Sequence, residues 1–94
     1  MTKPAMTKNV SITLQNNDDA RPIIEAIEQD NPEAVVNRYP AMVKIDCPGQ
    51  LTVQQATVEE KIGREWDVQE LHLSMISLSG NVDEEDEYFN LSWQ

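Results

Sequence analysis

Near the N-terminus, apolar and polar residues alternate, which predicts a strand. Val10, Ile12 and Leu14 are separated by Ser11 and Thr13. An alternation with a period of two is typical of a strand that buries one face and exposes the other. The polar run at residues 15–17 ends it.

The next segment has the spacing of an amphipathic helix. Its apolar face recurs at i, i+3, i+4 and i+7, namely at Ala20, Ile23, Ile24 and Ile27. Asp18 or Asp19 is expected to cap the helix. Pro22 falls in the first turn, where its missing N–H is tolerated. Asn31 precedes a proline and is expected to end the helix.

The middle of the chain predicts a hairpin followed by a second helix. Two short β-type runs, at residues 35–38 and 42–46, are separated by Tyr39-Pro40, which favours an antiparallel hairpin. Thr52 and Gln55 have the spacing of a capping box, so the second helix is expected to start there. Gly63 is expected to end it.

The last third is predicted to be mainly β-structure. Asp67 and Glu70 resemble the start of a single helical turn. Alternating strands then cover residues 75–79 and 88–93, and the acidic residues 83–87 are expected to join them as a hairpin loop. The resulting order, β-α-β-β-α-(α)-β-β, predicts an α+β two-layer sandwich with mostly antiparallel pairing. We expect a flexible arm at residues 1–8 and one domain at residues 9–94.

Charge narrows the choice of partner. The 94 residues include 7 Lys and Arg against 17 Asp and Glu, a net charge of -10. Residues 51–94 hold ten of the acidic residues and only two basic ones, a difference of -8. Nucleic acids and anionic membranes attract clusters of Lys and Arg, so neither is the expected partner. The N-terminus lacks a secretory pattern and Cys47 is alone, so the cytoplasm is the expected compartment.

Residues that could carry catalysis are few. His72 is the only histidine, and Gln69 stands where a di-iron Glu-x-x-His motif would need an acid. Cys47 has no nearby base and no second cysteine. The acidic run at residues 83–87 lacks the glycine and ligand spacing of a calcium loop. The sequence therefore predicts no catalytic residue, no metal site and no cofactor, and favours a protein-binding domain.

The segment from Ser74 to Asn81 is the most informative candidate surface. If Ile76 and Leu78 pack inward, Ser77 and Ser79 form a small polar face on the opposite side of the strand. Small side chains allow another surface to approach closely with little ordering cost. An exposed face without a role is the alternative.

The order and spacing of several short motifs resemble those of a known family. The motifs are PIIEAI at residues 22–27 leading to Asp30-Asn31-Pro32, MVKI at 42–45, Leu51-Thr52, GREWD at 63–67, and the stretch ending at Gly80. Together they resemble the effector, or coupling, proteins of bacterial multicomponent di-iron monooxygenases, most closely the regulatory component of phenol hydroxylase. The resemblance covers residues 10–93.

This resemblance implies a cofactor-free, non-catalytic α+β protein that docks on the oxygenase component and couples electron delivery from NADH to hydroxylation of an aromatic substrate. It also implies that the reductase is a second protein of the system, which could compete for the same surface. The family segment that faces the oxygenase matches the residues Ser74, Ile76, Ser77, Leu78, Ser79, Gly80 and Asn81. Several members of that family have an aromatic residue shortly before the position of Gly80, where this chain has Leu78, and members often have a proline and phenylalanine where Glu65 and Trp66 stand.

Two rival functions stay open at the level of sequence. An acidic domain could mimic nucleic acid and inhibit a basic DNA-binding protein, which would use the charge of residues 51–94 but leave the serine strand without a role. A small hydrolase would need Cys47 or a serine as nucleophile, and no motif supports one.

Overall fold

A computed structural model describes residues 8–93 of the chain. The strands are β1 Asn9–Gln15, β2 Val35–Arg38, β3 Met42–Pro48, β4 Gln50–Gln54, β5 Met75–Ser79, β6 Asn81–Glu84 and β7 Tyr88–Ser92. The helices are α1 Arg21–Asp30, α2 Gln55–Ile62 and α3 Leu71–Ser74, and a 3-10 turn at Val68–Glu70 precedes α3.

The strands form two antiparallel sheets. The four-stranded sheet has the order β2-β3-β1-β5, and the three-stranded sheet has the order β4-β7-β6. Helix α1 packs against β4 and α2. The predicted α+β class and the β2–β3 hairpin are confirmed, and the structure adds the division of the strands between two sheets.

One core lies between these layers. On β1 the predicted inward residues Val10, Ile12 and Leu14 are fully buried, and on α1 the predicted apolar face is buried. Phe89 and Leu91 of β7 belong to the same cluster. The core therefore draws on both sheets and the helices.

Several local signals are confirmed by the backbone. Pro22 lies in the first turn of α1. Gly63 follows α2 with φ 83°, the left-handed conformation that glycine adopts without penalty, and its N–H donates to the carbonyl oxygen of Glu59. Asp67 and Glu70 form the predicted capping box at the 3-10 turn.

Two predicted helix starts are wrong. Thr52 lies in strand β4, and α2 begins at Gln55, because Leu51 and Val53 alternate with polar residues and pair with β7. At α1 neither Asp18 nor Asp19 caps the helix. The side chain of Asn17 instead accepts a hydrogen bond from the backbone N–H of Ala20.

The predicted C-terminal hairpin is also wrong in its first strand. Strand β5 pairs with β1 in the four-stranded sheet, while β7 pairs with β4 and β6. The acidic run therefore contributes residues 83–84 to strand β6 and residues 85–87 to the turn that leads into β7. Single-strand alternation cannot distinguish these pairings, because both are compatible with it.

Residues 1–7 of the predicted arm lie outside the described residues. Lys8, its last residue, accepts a backbone hydrogen bond from Gly49, and its ammonium lies 5.4 Å from the ring centroid of Trp93. Within residues 8–93, no helix is long and apolar enough to cross a membrane.

Candidate protein-binding surface

The predicted partner-binding segment runs along the edges of both sheets. It begins at Ser74, the last residue of α3, and follows β5, the edge strand of the four-stranded sheet. At Gly80 the chain turns into β6, the edge strand of the three-stranded sheet. The segment therefore forms an outer rim where the two sheets adjoin.

A bulge in β5 changes which side chains this rim exposes. Ser77 pairs with Thr13 and Met75 pairs with Leu14, so the register passes over Ile76. The extra residue breaks the alternation, as a β-bulge does. Ile76 is 51% exposed, so of the two apolar residues considered for the inward face it does not pack inward. Leu78 does pack against the core, together with Met75.

The two serines of the strand are exposed, as predicted. Ser77 pairs with Thr13 and Ser79 pairs with Ser11, so their side chains lie on the face of the sheet opposite the core. The hydroxyl of Ser11 donates to the carboxylate of Asp46 on this same face. This part of the surface is small, polar and uncharged at β5 itself.

Two of the predicted site residues, Ser74 and Gly80, are not exposed contacts but support the surface from beneath. Ser74 is only 6% exposed, so it is not available as a contact of any size. Gly80 has φ 136°, and a Cβ atom at this position would lie 3.1 Å from Cγ1 of Val10. Glycine is needed for this turn, because an L side chain would be strained in that conformation and would crowd the core. Asn81, by contrast, is exposed.

Leu73 and Val82 extend the apolar part of the rim, and the sequence pattern did not predict either of them. Leu73 of α3 is the most exposed of the large apolar side chains in the described part of the chain, at 77%, and Val82 of β6 is also exposed. Both adjoin the predicted segment. Leu73 lies in a single helical turn, which is too short to show helical periodicity in the sequence. Val82 lies between the predicted segment and the acidic run and belongs to neither pattern.

The acidic turn gives the end of the three-stranded sheet a strong negative charge. The hydroxyl of Tyr88 donates to the carboxylate of Asp83, and this carboxylate is the main cause that raises the pKa of Tyr88. Burial, the hydrogen bond itself and Glu85 raise it further. The charge therefore lies beside the rim, at the far end of β6, rather than on the serine strand.

The residues considered for chemistry are dispersed. His72 is exposed and its Nε2 lies 2.8 Å from Oε1 of Glu84. Cys47 is buried, and burial, with a smaller contribution from Glu33, raises the pKa of its thiol. Among residues 8–93, no group of three or more His, Cys, Asp and Glu side chains could hold a metal ion. Within the described residues, His72 contacts Glu84 and Cys47 is buried elsewhere, on strand β3.

Comparison with known proteins agrees with this description. The model of the MmoB/DmpM family matches residues 8–92. The chain is 49% identical over 89 residues to the stimulatory component DmpM of phenol 2-monooxygenase from Pseudomonas sp. (strain CF600), covering 95% of this chain and 99% of that protein.

Solved structures show the same fold. A chain from the structure of a phenol hydroxylase–regulatory protein complex is 46% identical, with a TM-score of 0.89, and the match covers 93% of this chain and all of that one. The regulatory protein B of soluble methane monooxygenase matches with a TM-score of 0.72 at 21% identity, covering 92% of this chain and 65% of that one. The latter likeness concerns the fold alone.

Proposed function

The chain belongs to the MmoB/DmpM family, and we propose that it is the non-catalytic regulatory component of a multicomponent phenol monooxygenase. It binds the oxygenase component that carries the di-iron centre, and it couples electron delivery from NADH and activation of O2 to hydroxylation of the aromatic substrate. The observation that carries the proposal is the match, over the whole of that chain, to a protein from a phenol hydroxylase–regulatory protein complex.

A protein without catalytic groups can change a reaction only through binding. If it binds one conformation of the oxygenase more tightly than another, it shifts their equilibrium. A difference of about 1.4 kcal/mol in binding free energy corresponds to a tenfold shift. A bound partner can also restrict access of water to the reaction centre, as closing lids do in enzymes.

We assign the contact with the oxygenase to the segment from Ser74 to Asn81. Ile76, Ser77 and Ser79 are exposed on its outer side, which makes them the direct contacts. Leu78 anchors the strand to the core. Ser74 and Gly80 support the surface through their positions in the fold.

The cytoplasm is the proposed compartment. NADH supplies the electrons of the reaction that the protein regulates, and the lone thiol of Cys47 stays reduced there. Its partners are then the oxygenase and, through a shared surface or at a distance, the reductase.

The experiment that tests the function is a titration of product formation. Purified oxygenase and reductase encoded with this protein receive phenol and NADH, and this protein is added from zero to excess. We expect the rate to rise and to saturate near one molecule per oxygenase active site. Inhibition in excess would indicate a surface shared with the reductase. A flat titration with both enzymes competent would contradict the proposal.

A charge placed on the serine strand tests the assigned surface. Ser77→Lys should raise the half-saturating concentration at least tenfold, because a lysine in a close-packed contact must be desolvated without a partner. Gln29→Lys, at an exposed position of α1, makes the same change of charge and is the matched control. Equal half-saturation for both variants would exclude β5 from the interface.

A further inference from the structure

One side-chain pair joins helix α3 to strand β6, at the two ends of the rim. Nε2 of His72 in α3 lies 2.8 Å from Oε1 of Glu84 in β6. Between these two residues lie the end of α3, all of β5, the turn at Gly80 and most of β6. We refer to residues His72–Glu84 as the clasped ribbon. It contains the whole predicted partner-binding segment.

The His72–Glu84 pair lies against the hydrophobic core. The ring of His72 meets the ring of Phe89 edge to face, with 6.0 Å between the centroids and 80° between the planes. Phe89 is fully buried and is the residue that Glu84 faces across the β6–β7 ladder. Both partners are therefore held beside the same buried residue, which fixes the place where the ribbon closes.

The ribbon is held to the rest of the fold along one side only. Its two strands belong to different sheets, and each is an edge strand with one neighbour. Ile76 has no partner on β1, because the register passes over it. Leu78 and Gly80 hold the middle of the ribbon against the core, so the pair acts on its two ends, where Leu73 and Val82 are exposed.

We propose that the His72–Glu84 pair positions the clasped ribbon for docking on the oxygenase component. The proposal rests on the proposed function and names two positioning residues for it. A surface that is ordered before binding loses less conformational entropy on binding. Breaking the pair leaves β5 and β6 paired within their sheets but lets α3 and the end of β6 sample more relative arrangements, and the oxygenase then selects one of them.

The expected effect is on affinity rather than on the maximal rate. A hydrogen bond between side chains contributes about 0.5–1.5 kcal/mol net, which corresponds to roughly twofold to thirteenfold in an equilibrium constant. The side chains of His72 and Glu84 are 52% and 27% exposed, which favours the lower end of this range. We therefore expect the half-saturating concentration to rise about threefold, with the plateau rate unchanged.

The test uses the full chain in the titration of oxygenase and reductase with phenol. Its variants are His72→Ala, Glu84→Ala, the double variant, and the exchange His72→Glu with Glu84→His. Each single variant should raise the half-saturating concentration about threefold, and the double variant should be no worse than either. The exchange should restore the wild-type value, since histidine at position 84 still faces Phe89 across the ladder.

The control breaks another exposed pair. Asp18→Ala removes the partner of Arg21 at the start of α1, where the two side chains lie 3.0 Å apart, and its half-saturating concentration should equal that of wild type. Urea unfolding of every variant identifies any global loss of stability, and Glu84→Ala keeps the contact of His72 with Phe89.

Three results would overturn the positioning role. They are a wild-type half-saturation for Glu84→Ala, additive effects in the double variant, or an equal shift for Asp18→Ala. Each of them leaves stimulation by the wild-type chain intact, so the proposed function would stand. Absence of stimulation by the wild-type chain itself would refute both proposals.

Discussion

Asn31 is the buried polar residue on which the packing of α1 against the three-stranded sheet depends. Its amide nitrogen donates to the carbonyl oxygens of Ile27 and Thr52, each at 2.8 Å, and its amide oxygen accepts from the N–H of Thr52 at 2.9 Å. Strand β4 is an edge strand, so the side chain of Asn31 satisfies the backbone of Thr52 in the way a neighbouring strand would.

We predict that Asn31→Ala destabilises the protein by about 3 kcal/mol. The substitution leaves the N–H and the C=O of Thr52 without their partner, and each unsatisfied buried group costs about 1–3 kcal/mol. Thr52 is half-buried, which favours the lower half of that range. The carbonyl of Ile27 keeps its bond from the backbone N–H of Asn31, so it adds little.

The measurement is urea unfolding followed by circular dichroism. With a slope of about 1 kcal/mol per molar urea, the midpoint should fall by roughly 3 M while the slope stays constant. Asn16→Ala is the matched control, because that exposed side chain also donates to a backbone carbonyl, that of Tyr39, at 2.8 Å. Asn16→Ala should cost about 1 kcal/mol or less. Equal midpoints for the two variants would refute the reasoning.

Two further predictions concern the turn of the rim and the buried thiol. Gly80→Ala should lower the free energy of unfolding by about 2 kcal/mol, because the new Cβ atom would crowd Val10. Gly63→Ala is the control and should cost about 1 kcal/mol, because a Cβ atom there has no neighbour within 4 Å. Equal losses in urea unfolding would contradict the packing argument. Burial, and then Glu33, raise the pKa of Cys47 above its ordinary value of 9.0. The folded thiol therefore keeps its proton where the unfolded one releases it, so this contribution to stability is present below pH 9 and declines above it. A thiol reagent at pH 7.5 should react faster in urea than in buffer; equal rates would show that Cys47 is accessible.

Local signals in the sequence predicted the parts of the fold that depend on a few neighbouring residues. Pro22 at the start of α1, Gly63 after α2 and the box of Asp67 with Glu70 each act within one turn, so the sequence contains the whole cause. The hydrogen bonds of Asn31 to Thr52 join residues 21 positions apart, and no pattern in the sequence predicts such a contact.

The same distinction explains the error at Thr52. Its spacing to Gln55 fits a capping box, but the residues around it also alternate as a strand does. Which pattern prevails is decided by β7, because all five residues of β4 pair with it and Thr52 lies opposite Asn90, which is 38 residues further along the chain. Pairing at a distance therefore outweighs a local capping signal, which is worth only about 1 kcal/mol.

The exposure of Ile76 results from the bulge in β5, which the alternation of residues in the sequence does not reveal. Alternation assigns Ile76 and Leu78 to one face only if every residue of β5 has a partner, and β1 supplies partners for Met75 and Ser77 but none between them. The bulge keeps Leu78 on the core and turns Ile76 outward. Because Ile76 is 51% exposed, it gives up about half of the roughly 1.5–3 kcal/mol that full burial of an isoleucine contributes. The bulge therefore explains why Ile76 is exposed, and this exposure is what the proposed contact of β5 with the oxygenase component requires.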